Sequence, residues 1–233
     1  MKSVIITGAS SGIGRATAEV FLDAGWRVGL IARRAELLEA VADRYDAAVA
    51  LPADVTDART MAAAFKAFGH IDVLFNNAGL FGPAAPIDEV PLEDWAQVLS
   101  VNVGGMFIAA QLAFAAMRVQ DPQGGRIVNN GSLSAYVPRP GSVCYTTTKH
   151  AVTGLTKTLS LDGRPYGIAC GQIDIGNAET DLLQKLKAAN PDTPTMDVVN
   201  AARSVLHMAE MPLEANVQFM TVMATTMPYI GRG

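Results

Sequence analysis

Short β-branched runs alternate with longer stretches of helical spacing along almost the whole sequence, and that alternation constrains the fold more than any other feature. Ser3 to Thr7, Arg27 to Ile31, Ala48 to Leu51, Ile71 to Phe75, Arg126 to Asn129, Ile168 to Ile175 and Val217 to Met223 read as strands. Between them Ile13 to Ala24, Ala35 to Tyr45, Asp57 to Phe68, Leu92 to Val119 and Ser142 to Leu161 read as helices, and two further helical stretches surround Pro191 and Pro194. The fourth run is almost wholly apolar, as befits a parallel strand buried on both faces. Seven strands with helices between them predict a parallel, doubly wound α/β sheet. The 233 residues contain no linker, repeat or low-complexity segment, so a single domain over 1–233 is expected.

Composition narrows the function. The formal net charge is −4, and no run of Lys and Arg is long enough to follow a phosphate backbone, which disfavours nucleic acid. Half the residues are hydrophobic and 17% are charged, a balance that suits apolar surface hidden in an oligomer. The longest apolar stretch, Val103 to Met117, contains Gln111 and reads as a buried or interface helix, too short for a bilayer span. No membrane partner is expected. At the amino end, the run Val4 to Ile6 meets Gly8 too soon for a secretory core. Cys144 and Cys170 have neither metal spacing nor a disulfide framework, and His70, His150 and His207 have no metal-ligand partner. Reduced thiols, a cytoplasmic location and no metal are the expectation.

Three local patterns carry chemistry. Thr7-Gly8-Ala9-Ser10-Ser11-Gly12-Ile13-Gly14 joins the first strand to the first helix. An open parallel sheet takes its ligands at the carboxyl ends of its strands, and a helix start there offers free N–H groups to phosphates. Gly8 permits the tight turn, Gly12 the approach of a pyrophosphate, and Gly14 close packing of the helix. Tyr145 and Lys149 lie four residues apart on one helix, hence on one face. An ammonium beside a phenol favours the phenolate and makes the phenol a usable acid/base near neutral pH. Ser132 follows the fifth strand at its carboxyl end, where a hydroxyl can stabilise a carbonyl oxygen as charge grows on it, with Ser134 as its rival.

Together these pieces resemble the short-chain dehydrogenase/reductase family, in its compact branch. Thr7 to Gly14 is similar to the family's cofactor turn, Asp54-Val55 to its adenine contact, and Asn76-Asn77-Ala78-Gly79 to its Asn-Asn-Ala-Gly signature. Asn102, in a helix that follows Trp95, resembles the catalytic asparagine, and Ser132, Tyr145 and Lys149 complete the tetrad. The likeness runs from about Ser3 to Thr180 in family order and spacing. It implies a single Rossmann-type domain and a hydride transfer between a nicotinamide and a carbonyl or alcohol. Tyr145 would be the acid in reduction and the base in oxidation. Lys149 would tune Tyr145 and hold the nicotinamide ribose, Ser132 would orient the substrate oxygen, and Asn102 would hold a proton-relay water. The cofactor contacts implied are Gly8, Ser10, Ser11, Gly12, Ile13, Gly14, Arg33, Arg34, Asp54, Val55, Asn76, Ala78, Gly79, Gly176, Asn177 and Thr180, with Tyr145 and Lys149.

Departures accompany the likeness. Ile175 stands in the proline position before Gly176, and the run Met220 to Gly233 lacks the frequent Asp-Gly-Gly ending. At the end of the second strand Ala32-Arg33-Arg34 offers no carboxylate for a ribose 2′-hydroxyl, while an arginine pairs well with a 2′-phosphate. NADP(H) is therefore expected over NAD(H), through Arg33 first, with Ser10 or Arg34 assisting. The substrate pocket is expected around Leu80, Phe81, Ala135, Val137, Val143, Leu182 and Leu183, with 179–195 as a lid and Arg139 facing solvent. Its apolar lining suits an uncharged carbonyl compound. The two long helices resemble those that pair across a two-fold axis, so a homodimer or homotetramer is expected. The alternative is a non-enzymatic NADP-binding sensor or scaffold, which predicts damaged catalytic positions; all four stand intact.

Overall fold

A computed structural model describes residues 1–180 and 191–230. Seven parallel strands form one sheet: β1 (Ser3–Thr7), β2 (Arg27–Ala32), β3 (Ala48–Pro52), β4 (Val73–Asn76), β5 (Gly125–Asn130), β6 (Ile168–Gly176) and β7 (Phe219–Met223). Their spatial order is β3-β2-β1-β4-β5-β6-β7. The order reverses between β1 and β4, which opens a crevice at the carboxyl ends of the strands. Every residue of β1, β4, β5 and β6 is buried, the apolar runs of β1 and β4 and also the polar Arg126, Asn129, Asn130, Gln172 and Asp174 of β5 and β6.

Helices cover both faces. On one side α1 (Gly12–Asp23), α2 (Ala35–Ala42) and α7 (Val198–Glu210) share a core with Val4, Ile6, Val128 and Ile173. On the other, α3 (Ala58–Phe68) and α5 (Met106–Val119) pack Met61, Phe65, Ala109 and Met117 against Ile5, Leu74 and Ile127. The catalytic-motif helix α6 (Val143–Asp162) lies on this second face beside β6. Asp57 starts α3 by accepting the N–H groups of Arg59 and Thr60 at 2.9 and 3.3 Å.

Two elements differ from expectation. Helix α2 ends at Ala42 and not at Tyr45, because Arg44 and Tyr45 leave it to reach Glu19 and Asp23 on α1, at 3.1 Å each. The region 92–119 is continuous, but α4 (Leu92–Leu99) passes into α5 through a wider, π-type turn, Ser100–Gly105. As one 28-residue helical stretch it is long and apolar enough to cross a bilayer, contrary to the shorter apolar run read from the sequence. Its inner face packs on β4, β5 and α3, the setting of a core helix.

Candidate active site

The glycine turn lies between β1 and α1. Gly8 and Gly12 take positive φ angles of 70° and 54°. A Cβ on Gly14 would sit 2.2 Å from the Gly8 carbonyl oxygen, so only glycine lets the helix begin this close beneath the turn. Gly8, Ser10, Ser11, Gly12 and Ile13 line a cavity of about 410 Å³. It continues past Arg33 and Arg34 after β2, Asp54 and Val55 after β3, and Ala78 and Gly79 after β4, to Tyr145 and Lys149. At its far end Arg34 Nη2 donates to Ser10 Oγ at 2.9 Å and Ser11 Oγ at 3.0 Å. Arg33 is exposed on the same cavity. Asp54 folds its own loop, its carboxylate accepting the Thr56 N–H at 2.9 Å and hydroxyl at 2.8 Å.

The paired asparagines divide the work. Asn76, expected among the cofactor contacts, points away from the cavity; its side chain is buried and donates to the Met106 carbonyl at 2.7 Å, fastening β4 to α5. Asn77 lines the cavity instead. Its N–H donates to Thr7 Oγ1 at 2.8 Å, its Nδ2 to the Thr7 carbonyl at 2.9 Å, and its Oδ1 accepts from Asn130 Nδ2 at 2.8 Å. One side chain thereby joins the carboxyl ends of β1, β4 and β5.

Asn102 sits in the π-type turn, buried. Its Oδ1 accepts the Leu80 N–H at 2.7 Å, and its Nδ2 donates to the Leu80 carbonyl at 2.8 Å and to Thr148 Oγ1 at 3.0 Å. Both donors are thus engaged in holding the loop after β4 to α6. Gly14 and Asn102 shape the first cavity from behind, without being part of its lining.

Helix α6 brings Tyr145 and Lys149 to the crevice one turn apart. Lys149 is buried; its Nζ donates to the Asn130 carbonyl at 2.7 Å and lies 5.3 Å from the centre of the Tyr145 ring. Tyr145 lines both the first cavity and a second, of about 150 Å³, as do Ile13 and Thr180. The second cavity is bordered by Ser132, Ser134, Phe81, Val137, Gly176 and Asn177. Ser132 Oγ accepts the Ser134 N–H at 3.1 Å. The Phe81 ring lies 4.9 Å from that of Tyr145, centre to centre. Arg139 is exposed, as expected, yet also borders this cavity, 5.9 Å from the Phe81 ring centre.

The expected substrate pocket is partly redrawn. Phe81 and Val137 border the second cavity, Leu80 borders the first, and Ala135 and Val143 border neither. Leu182 and Leu183, with most of the 179–195 lid, lie outside the described residues. In their place Met227, Pro228 and Tyr229 come back from the chain's end to close one side.

Sequence reasoning also passed over Asp174, which is fully buried on β6 and accepts the Ser132 N–H at 2.8 Å. The signal was available: Gln172 and Asp174, two apart on one face of an otherwise apolar central strand, are polar where burial is costly.

The first cavity fits a dinucleotide. The opening N–H groups of α1 have no intrahelical acceptor, the glycines admit a close approach, and Asn130 Oδ1, at the cavity wall, has no hydrogen-bond partner among the described residues.

Residues 2–191 match the short chain dehydrogenase family model. The 2-(R)-hydroxypropyl-CoM dehydrogenase of Xanthobacter autotrophicus is 39% identical over 191 residues, covering 77% of this chain and 76% of that one. Sulfoacetaldehyde reductase 2 of Chromohalobacter salexigens is 31% identical over 95% of this chain and 94% of its own. Among solved structures, 3-ketoacyl-(acyl-carrier-protein) reductase of Brucella melitensis complexed with NADH superposes with a TM-score of 0.88 at 28% identity, over 96% of this chain and 97% of that one. ElxO with NADP bound gives 0.86 at 26% identity, over 96% and 97%. Sheet order, glycine turn and family match agree: this chain belongs to the short-chain dehydrogenase family and is a nicotinamide-dependent oxidoreductase.

Proposed function

We propose that the protein is an NADP-dependent reductase or dehydrogenase of small carbonyl and alcohol compounds, with Tyr145 as its acid/base. The observation that carries this reading is the position of Tyr145 at the meeting of two cavities, with Lys149 on the first and Ser132 on the second. When bound, the nicotinamide supplies or takes up the hydride. In the reductive direction Tyr145 would give its hydroxyl proton to the substrate oxygen. Ser132 Oγ–H donates to that oxygen as its charge grows, with Ser134 beside it in the same wall. Lys149, 5.3 Å from the centre of the Tyr145 ring, lines the first cavity, where it would hold the cofactor's ribose hydroxyls. Asn102 keeps the loop after β4 at its distance from α6, so that the two cavities stay in line.

The phosphate preference rests on the end of β2. Ala32, Arg33 and Arg34 present no carboxylate there, and Arg34 with Ser10 and Ser11 forms a group of donors suited to a 2′-phosphate. The apolar groove between the outer faces of α5 and α6 supports assembly as a homodimer or homotetramer. A cytoplasmic location agrees with two buried free thiols, of which Cys170 is pushed up to about 12 by burial and is chemically quiet.

Tyr145→Phe tests the assignment. NADPH binding, followed by fluorescence, is expected to survive, while turnover of a carbonyl panel falls by roughly 10²–10⁴-fold. Near-normal turnover in that variant would overturn the role. Lys149→Ala is expected to weaken both turnover and cofactor affinity.

A further inference from the structure

Beneath the catalytic loop lies a buried polar ladder where a helix on a sheet ordinarily makes an apolar core. Asn129 Nδ2 donates to Thr156 Oγ1 at 2.9 Å, and the Thr156 hydroxyl, which donates to the Val152 carbonyl at 2.9 Å, lies 3.3 Å from Gln172 Oε1. Gln172 Nε2 donates to Thr153 Oγ1 at 3.1 Å and to Asp174 Oδ1 at 2.8 Å. The ladder ends at Asp174, whose Oδ1 also takes the Ser132 N–H. A Cβ on Gly131 would lie 2.1 Å from that same oxygen, so the backbone leading to Ser132 passes directly over the carboxylate. Asp174 Oδ2 is buried, and the Tyr136 hydroxyl acts on the carboxylate as a hydrogen-bond donor.

The charges around this corner come from several elements. Lys149 and Tyr145 stand on α6, Tyr136 and Arg139 on the segment before it, and Tyr229 in the chain's last described residues. Asp174 and Lys149 feel each other's field, but no ion pair closes between them within 4.0 Å. The Tyr136 phenol is pushed up to about 12, first by partial burial and then by the Asp174 carboxylate. Burial raises Asp174 above the ordinary carboxylate value, against the opposing pull of Gln172, the Ser132 N–H, the Tyr136 hydroxyl and Lys149.

We propose that Asp174 is a positioning residue of the active site: its carboxylate takes the Ser132 N–H from beneath and so sets where the Ser132 hydroxyl stands in the wall of the second cavity. The inference rests on the role given to Ser132 above. It separates from a purely structural role by sign. A carboxylate raised on folding binds its proton more tightly in the folded protein, so its cost is absent below the unfolded value near 3.8 and fully present above the folded one. Stability therefore declines as pH rises through that window, and neutralising the group removes the cost.

Asp174→Asn retains an acceptor for Ser132 and Gln172. The melting temperature at neutral pH is expected to equal or exceed that of the wild type, with the difference shrinking in acid. Asp174→Ala removes the acceptor for the Ser132 N–H, and kcat for carbonyl reduction is expected to fall by roughly ten- to a hundredfold while the Kd for NADPH, read by fluorescence, stays at the wild-type value. Asp174→Asn is expected to keep most of that kcat. Wild-type kcat in the folded Asp174→Ala variant overturns the proposal, as does Asp174→Asn that is as impaired as Asp174→Ala. Failure of the Ser132 reading itself shows separately, as normal turnover in Ser132→Ala.

Discussion

Two serines and two arginines meet at the far end of the first cavity, and cofactor choice turns on them. Arg34 is already oriented by Ser10 and Ser11, while Arg33 stands exposed beside it. Charge-assisted hydrogen bonds contribute about 1.5–3 kcal/mol, so kcat/KM should favour NADP(H) over NAD(H) by roughly ten- to a hundredfold. Ala32→Asp with Arg33→Ala is expected to reverse the preference, and Arg34→Ala to reduce it by about tenfold. Comparison of both cofactors in steady state checks this; a wild type that favours NAD(H) would show the reading of β2 to be mistaken. The contrast between Asn76 and Asn77 shows what sequence left open at this scale. Two adjacent asparagines at a strand end face opposite ways, and only the end of β4 decides which enters the cavity. Tyr145 and Lys149 were legible because their helical spacing alone puts them on one face. Asp174 was passed over although Gln172 beside it was visible, because the group it holds at the site, the Ser132 N–H, is 42 residues away.

Among the elements, β5 and the segment that follows α7 are joined by the largest fully buried side chain described, Arg126. Its Nη2 donates to the carbonyls of Met211, Pro212 and Ala215 at 3.0, 3.1 and 3.0 Å, and its Nη1 to Asn216 Oδ1 at 3.3 Å. The segment that carries the chain from α7 to β7 is therefore gathered around one guanidinium. Arg126→Met keeps the apolar stem and removes the donors. We expect a loss of roughly 2–4 kcal/mol, seen in denaturant melts, with the KM for cofactor unchanged. Melts that superpose on the wild type would show the cluster to be without consequence. Such long-range fastenings also explain which elements the sequence placed well. β1 and β4 declared themselves as short apolar runs. The π-type turn at 100–105 gave no local sign, since Asn102 is held there by Leu80 and Thr148, 22 and 46 residues away.

The whole molecule is a sheet with an unfinished side. Phe107, Phe114, Leu155, Leu159 and Tyr166 border an apolar groove on the outer faces of α5 and α6, and Phe107 is 52% exposed. In the homo-oligomer proposed above, this groove would be covered by a second copy about a two-fold axis. Light scattering at micromolar concentration is expected to give a dimer or tetramer, and Phe114→Asp to shift it to monomer. A wild type that is itself monomeric would refute the pairing. Within each subunit, the shared wall of the two cavities has a further consequence. Ile13, Tyr145 and Thr180 belong to both, so whatever fills one compartment completes the boundary of the other. The two occupants are then thermodynamically linked: the free energy by which the first improves the site for the second is returned, in equal measure, by the second to the first.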